Sequence, residues 1–150
     1  MSIHTVQAQH YPELITVWEA SVRASHDFLS ETHIAHLRDL ILNHYFAQVT
    51  LRAWQDEAGR CLGFVGVAAG NIEMLFVHPH AQGLGIGKAL VSHALTHLGA
   101  DKVDVNEQNP QATAFYQHMG FVICGRSDTD GQGWPFPLLH MQWLQPADRK

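Results

Sequence analysis

The sequence predicts an α/β domain built on one mixed β-sheet of about seven strands, with about four helices. Three observations point there. Short apolar or alternating runs recur along the chain, separated by Gly, Pro, Asn and Asp turn signals. Four other stretches carry apolar residues at helical spacing. A late strand–helix–strand order requires a parallel pair joined by a crossover, whereas the earlier strands follow closely enough for hairpins.

Taken in order, "SIHTVQ" (residues 2–7) alternates weakly and is the expected first strand. From Pro12, well placed in a first helical turn, Leu14, Ile15, Val17, Trp18 and Val22 keep helical spacing. Ser30 is the expected N-cap of a second helix, with Ile34, Leu37, Ile41 and Tyr45 along one stripe and Leu40 beside it. Val49–Gln55 reads as a strand, and "DEAGR" as a turn on Gly59. "CLGFVGVAA" from Cys61 reads as a buried strand. Gly70-Asn71 is a turn signal that returns it as a hairpin into Ile72–His78.

Gly83, Gly85 and Gly87 then precede a third helix carrying Ala89, Leu90, Ala94, Leu95 and Leu98, with Gly99 suited to the position after its end. Lys102–Asn106 is a short strand. Asn109 and Pro110 are a favoured N-cap and first helical residue. Ala112, Phe115 and Met119 fall on that helix's expected core face, and Gly120 ends it. "FVICGR" and "LLHMQWL" are the closing strands.

Bulk properties bound the function. At 150 residues the chain is expected to form one domain over its whole length, burying roughly two thirds of its unfolded surface. A formal charge of −5 argues against a broad nucleic-acid surface. No apolar run approaches a membrane span, and the first residues lack a secretory pattern. A cytoplasmic location is expected, with Cys61 and Cys124, both in apolar runs, as buried free thiols. Of the twelve histidines, His93 and His97 and also His33 and His36 are spaced for one helix face. Both pairs are expected as solvated surface groups rather than metal ligands. Their number makes the net charge rise as pH falls through about 6.5.

The glycine cluster carries the chemistry. A strand entering a glycine-rich turn and then a helix start is a general anion device. The first helical N–H groups lack acceptors, the helix dipole adds positive charge, and missing Cβ atoms let a phosphate approach. Lys88 adds a full charge. A nucleotide P-loop needs a glycine where Gln82 stands and a hydroxyl where Ala89 stands. A dinucleotide fingerprint fits Gly83, Gly85 and Asp104, but the third glycine comes one residue early and too little chain follows. The pattern Q/R-x-x-G-x-G/A is met in full by Gln82–Gly87.

On these residues the chain resembles the GNAT N-acetyltransferase superfamily. "VHPHAQGLGIGKALV" is similar to its acetyl-coenzyme A signature, and "NEQNPQATAFYQHMGF" to its second block. "SVRASHDFLSE" and "GRSDTDGQGWPFPLLHM" resemble a branch of small bacterial members. Gln82 stands where the family often has Arg, which removes a charge but keeps the amide cradle.

The resemblance implies a GNAT-like sheet with splayed central parallel strands and acetyl-coenzyme A as cosubstrate, with no metal. The pyrophosphate would lie on Gln82, Gly83, Leu84, Gly85, Ile86, Gly87 and Lys88. The pantetheine arm would lie along Leu75, Phe76 and Val77, with Asn109 and Tyr116 also touching the cofactor. Tyr116 matches the general acid that protonates the leaving thiolate. Glu73, or alternatively Asp104, is the expected base for the amine. A backbone N–H near Leu75 or Val77 would polarise the acetyl carbonyl. His26 and Phe28, with Trp134 and Phe136, would frame the acceptor. That acceptor is an amine of a protein or peptide lysine, a peptide N-terminus or a small molecule. No nucleic-acid or membrane partner is implied, and the chain would act as a monomer or homodimer. A non-catalytic acyl-coenzyme A sensor and a nicotinamide enzyme are the alternatives.

Overall fold

A computed structural model describes residues 2–25, 29–131 and 133–144. Along the chain run β1 (Ser2–Thr5), α1 (Tyr11–Ser25), α2 (Glu31–Leu40), β2 (Thr50–Gln55), β3 (Cys61–Ala68), β4 (Asn71–Val77), α3 (Ile86–His97), β5 (Lys102–Asn106), α4 (Pro110–His118), β6 (Phe121–Ser127) and β7 (Leu138–Trp143). The seven strands form one sheet in the order β1-β2-β3-β4-β5-β7-β6. All neighbours are antiparallel except β4 and β5.

Local chemistry sets the helix ends. The Ser30 hydroxyl accepts from the His33 N–H at 3.1 Å, and Asn109 Oδ1 accepts from the Ala112 N–H at 3.2 Å, with Pro110 following. The second helix does not stay α to Tyr45. Ile41–Tyr45 is a π turn and Phe46–Gln48 a 3₁₀ turn. This change of winding turns Phe46 fully inward, where its ring meets Tyr11 at 5.0 Å and Phe64 at 5.7 Å.

Alternation along the strands builds two cores. On one face Leu14, Ile15, Trp18, Ile34 and Phe46 pack on Leu51, Phe64 and Met74. On the other, Ile86, Leu90, Val91 and Ala94 pack on Val65, Val103, Val105 and Met141. Each face buries a set that the helical spacing singles out, so the hydrophobic contribution, at about 1.5–3 kcal/mol per large side chain, clamps the sheet from both sides.

Two expectations about polar side chains need correction. Cys61 is buried, and burial pushes its thiol up to about 11, but Cys124 is exposed. Ile123 pairs with Met141 and Gly125 with His140, so Cys124 is the extra residue of a bulge and loses its place in the alternation. His33 is not solvated. It is only 6% exposed, its ring lying 4.2 Å from Trp134 and 5.0 Å from Phe136. The segment entering β7 folds over α2 and covers it.

The β3–β4 hairpin closes through Ala69 and Gly70, because Ala68 pairs with Asn71. Both loop residues have positive φ, 51° and 78°, as a type I′ turn requires. Alanine in this region costs about 1–2 kcal/mol, whereas Asn-Gly is favoured. Ala69→Asn is expected to stabilise the protein by about 1 kcal/mol. Urea unfolding measures it, and a lower midpoint would contradict the turn assignment.

Candidate active site

The central feature is an early parting of two strands. β4 and β5 pair only at Asn71 with Lys102 and at Ile72 with Val103. Beyond that point β5 continues against β7, while β4 keeps β3 as far as Val77 with Gly63. Glu73 to Val77 therefore lack a partner strand on the β5 side. The cause is visible in the β3–β4 ladder. Gly66 opposes Met74 and Val67 opposes Ile72, so Glu73 is an inserted bulge residue. A bulge increases local twist and re-aims a side chain, and here it turns the rest of β4 away from β5.

A cleft of about 410 Å³ opens along this free edge. One wall is Leu75, Phe76 and Val77, and another is the loop into α3. Gly83 and Gly85 have φ of +82° and +81°, and a Cβ built on either would meet nothing within 4 Å. The left-handed conformation, not crowding, calls for glycine there. Gly85 is the N-cap of α3 and offers no capping side chain, so the amides of the first turn remain available. Ile86 and Leu90, 2% and 0% exposed, anchor that turn in the core. Lys88 is exposed and has no ion-pair partner among the described residues. The third glycine differs: a Cβ at Gly87 would make an ordinary contact 3.5 Å from the Phe115 ring.

The cleft brings together Leu75, Phe76, Val77, Gln82, Gly83, Gly85, Ile86, Gly87, Lys88 and Asn109. Leu84 is not in its wall and projects to solvent, 69% exposed. Ser21, Ala81, Gln111, Ala112 and Phe115 line it without having been singled out as cleft residues. Ala112, Phe115 and Met119 pack against the core as their spacing predicts, and Ala112 and Phe115 line the cleft as well.

Tyr116 is buried more deeply, 6% exposed, with its ring 5.3 Å from Phe121. Burial alone raises its phenol above the ordinary range. Tyr116 is not among the cleft's lining residues.

The two carboxylates occupy equivalent places on the parting strands: Glu73 follows Ile72, and Asp104 follows Val103. Glu73 is exposed and lines a second hollow of about 260 Å³ with Tyr45, Gln48, Val49 and Met74, on the α2 side of the sheet. Asp104 lies between the core residues Val103 and Val105, so it points to that same side. Its Oδ1 is 2.6 Å from His140 Nδ1. His26 and Phe28 lie outside the described residues. Trp134 and Phe136 enclose His33 in the first turn of α2.

A parallel pair opened beside an uncapped, glycine-started helix makes a cleft suited to an extended ligand that carries an anion at one end. The acetyltransferase (GNAT) domain profile matches residues 23–144, and the chain belongs to this family. It is 40% identical to the peptidyl-lysine N-acetyltransferase YjaB of Salmonella typhimurium, over 86% of this chain and 88% of that one. The solution structure of apo YjaB from Escherichia coli is 35% identical and superposes with a TM-score of 0.86, covering 95% of this chain and 97% of that chain. PaiA N-acetyltransferase from Thermoplasma acidophilum, solved in complex with coenzyme A, shares the fold at 19% identity and a TM-score of 0.71, over 95% and 100% of the two chains. The chain is an N-acetyltransferase, within the small bacterial branch that its 21–31 and 125–141 segments resemble.

Gly85→Val forces a branched residue to a φ of +81° at the head of α3. The local strain is about 1–2 kcal/mol, so acetyl-coenzyme A is expected to bind about tenfold more weakly. Calorimetric titration measures this, and unchanged affinity would move the pyrophosphate away from the loop.

Proposed function

We propose that the chain transfers the acetyl group of acetyl-coenzyme A to the side-chain amine of a protein or peptide lysine, in the cytoplasm and without a metal. One observation carries the reading: the unpaired edge of β4 and the uncapped start of α3 line one cleft. The first offers a strand's hydrogen bonds to an extended amide-bearing arm, as an added strand would use them. The second offers amides, helix dipole and Lys88 to a pyrophosphate. The chemistry of the residues present fits coenzyme A, which supplies a thioester when bound. The lysine acceptor is supported by the name of the YjaB relatives.

Transfer requires a neutral amine, a donor for the oxygen that gains charge and a proton for the departing sulfur. Backbone N–H groups at Leu75 or Val77 serve the oxygen. Tyr116 serves the sulfur, since burial keeps it protonated through the neutral range. Asn109 holds the start of α4, and thereby Tyr116, through its cap. The amine's proton goes to a carboxylate at the mouth of the opening, where Glu73 and Asp104 stand.

Thiol release on mixing protein, acetyl-coenzyme A and lysine peptides, with mass spectrometry of the product, tests the proposal. Acetylation confined to polyamines or free amino acids would overturn the acceptor. Tyr116→Phe is expected to lower kcat by about 100-fold with acetyl-coenzyme A affinity nearly unchanged. Equal turnover in the two proteins would remove Tyr116 from the reaction.

A further inference from the structure

Ser21 is a buried polar residue that the proposed reaction does not use. It lines the cleft, and among the described residues it is the one lining residue that α1 supplies. The other walls come from β4, the turn into α3, and α4 with its cap. Ile86, Ala112 and Phe115 belong to the core on the α3 side of the sheet, whereas Phe76 belongs to the core on the α1 side. The cleft therefore passes through the gap between β4 and β5, and Ser21 bounds it on the α1 side.

The direction of α1 fixes which end of the cleft Ser21 occupies. Glu13, in the first turn of α1, lies near enough to Cys61 for its charge to reach that thiol. Cys61 begins β3, and the start of β3 lies beside the end of β4, where Gly63 opposes Val77. Five residues further along α1, the Trp18 ring meets the Phe76 ring edge-on at 6.5 Å. The helix thus runs back along β4, away from the glycine loop that follows Val77. Ser21 shares a helix face with Trp18 and lies one turn further on, about 4.5 Å along the axis. It stands at the inner end of the cleft, near Leu75 and Phe76 and far from Gly83 and Gly85.

We infer that Ser21 gauges the acyl group, admitting two carbons and disfavouring longer chains; the inference rests on the N-acetyltransferase reading. A pyrophosphate on the glycine loop and an extended arm along β4 bring the thioester to the inner end, so the acyl group points at α1. The depth left for it there is set by one short side chain. The helix behind that side chain cannot retreat. Val17, Trp18 and Val22 are buried around Ser21, and they pack with Phe46, Phe64 and Met74 in a closed core. Further methylenes would have to displace that packing, and a dense core resists being overfilled. One methylene accepted or refused in a close-fitting pocket changes specificity by about 10–200-fold.

Calorimetric titration with coenzyme A and with its acetyl, propionyl and butyryl thioesters tests this without an acceptor. Each affinity is divided by that for coenzyme A itself, so that effects on the arm or on stability cancel. In the wild-type protein the relative affinity is expected to fall at least about tenfold from acetyl to butyryl. Ser21→Ala removes one non-hydrogen atom and suits a helix, and it is expected to raise the relative affinity for the propionyl thioester about tenfold. Ser21→Thr keeps the hydroxyl, adds a methyl group and is expected to lower it by a similar factor. Equal wild-type affinities for the acetyl and butyryl thioesters overturn the inference. So does an acyl preference that Ser21→Ala leaves unchanged, whatever Ser21→Thr does. Both results leave the transferase reading intact. Thioester binding in the expected order without acetylation of any amine removes the transferase reading and keeps the gauge. No binding of any thioester overturns both.

Discussion

Main-chain N–H and C=O groups that leave a ladder must find other partners, and a strand interior with a free side is an invitation to another chain. β4 is in this position from Glu73 onward, in the middle of the sheet rather than at its margin. The helices on both faces hold the two halves of the sheet at their separation, so the gap cannot close by sliding the strands together. A ligand with amides along an extended arm satisfies the groups that the protein leaves open. The cleft is thus a consequence of where pairing stops. The glycine loop and α3 add a charged anchor at its outer end.

Much of this was legible in the sequence where the signal is local. Asn109-Pro110, Ser30 and the glycine turn act through residues one to four positions away, and each lies where spacing put it. The apolar sets of α1 and α3 likewise read directly as buried faces, because a helix presents one stripe whatever its neighbours are. The point where β4 and β5 part was not readable from spacing, since it depends on the register of a third strand against the bulge at Glu73. Only the family resemblance supplied the splay.

The misassignments share that cause. Phe115 and Tyr116 differ by one step around α4 and both meet the core, and how deeply each ring is buried depends on how the helix crosses the sheet. His33 looked like a surface residue because the side chains that cover it, Trp134 and Phe136, lie a hundred residues away in sequence. Cys124 looked buried because an inserted residue does not announce itself in an apolar run. The Asp104–His140 contact joins β5 to β7, with no spacing motif to mark it.

The bulge at Cys124 has a consequence for association. β6 is an outer strand of the sheet, and Val122 and Ile123 present exposed apolar side chains on it. A straight outer strand of that composition would template another copy of itself along its whole length. The inserted residue breaks the regular spacing of donors and acceptors after Ile123, so a second molecule could add only a few rungs before losing register. The irregularity therefore shortens the ladder that this rim of the sheet offers to a second copy.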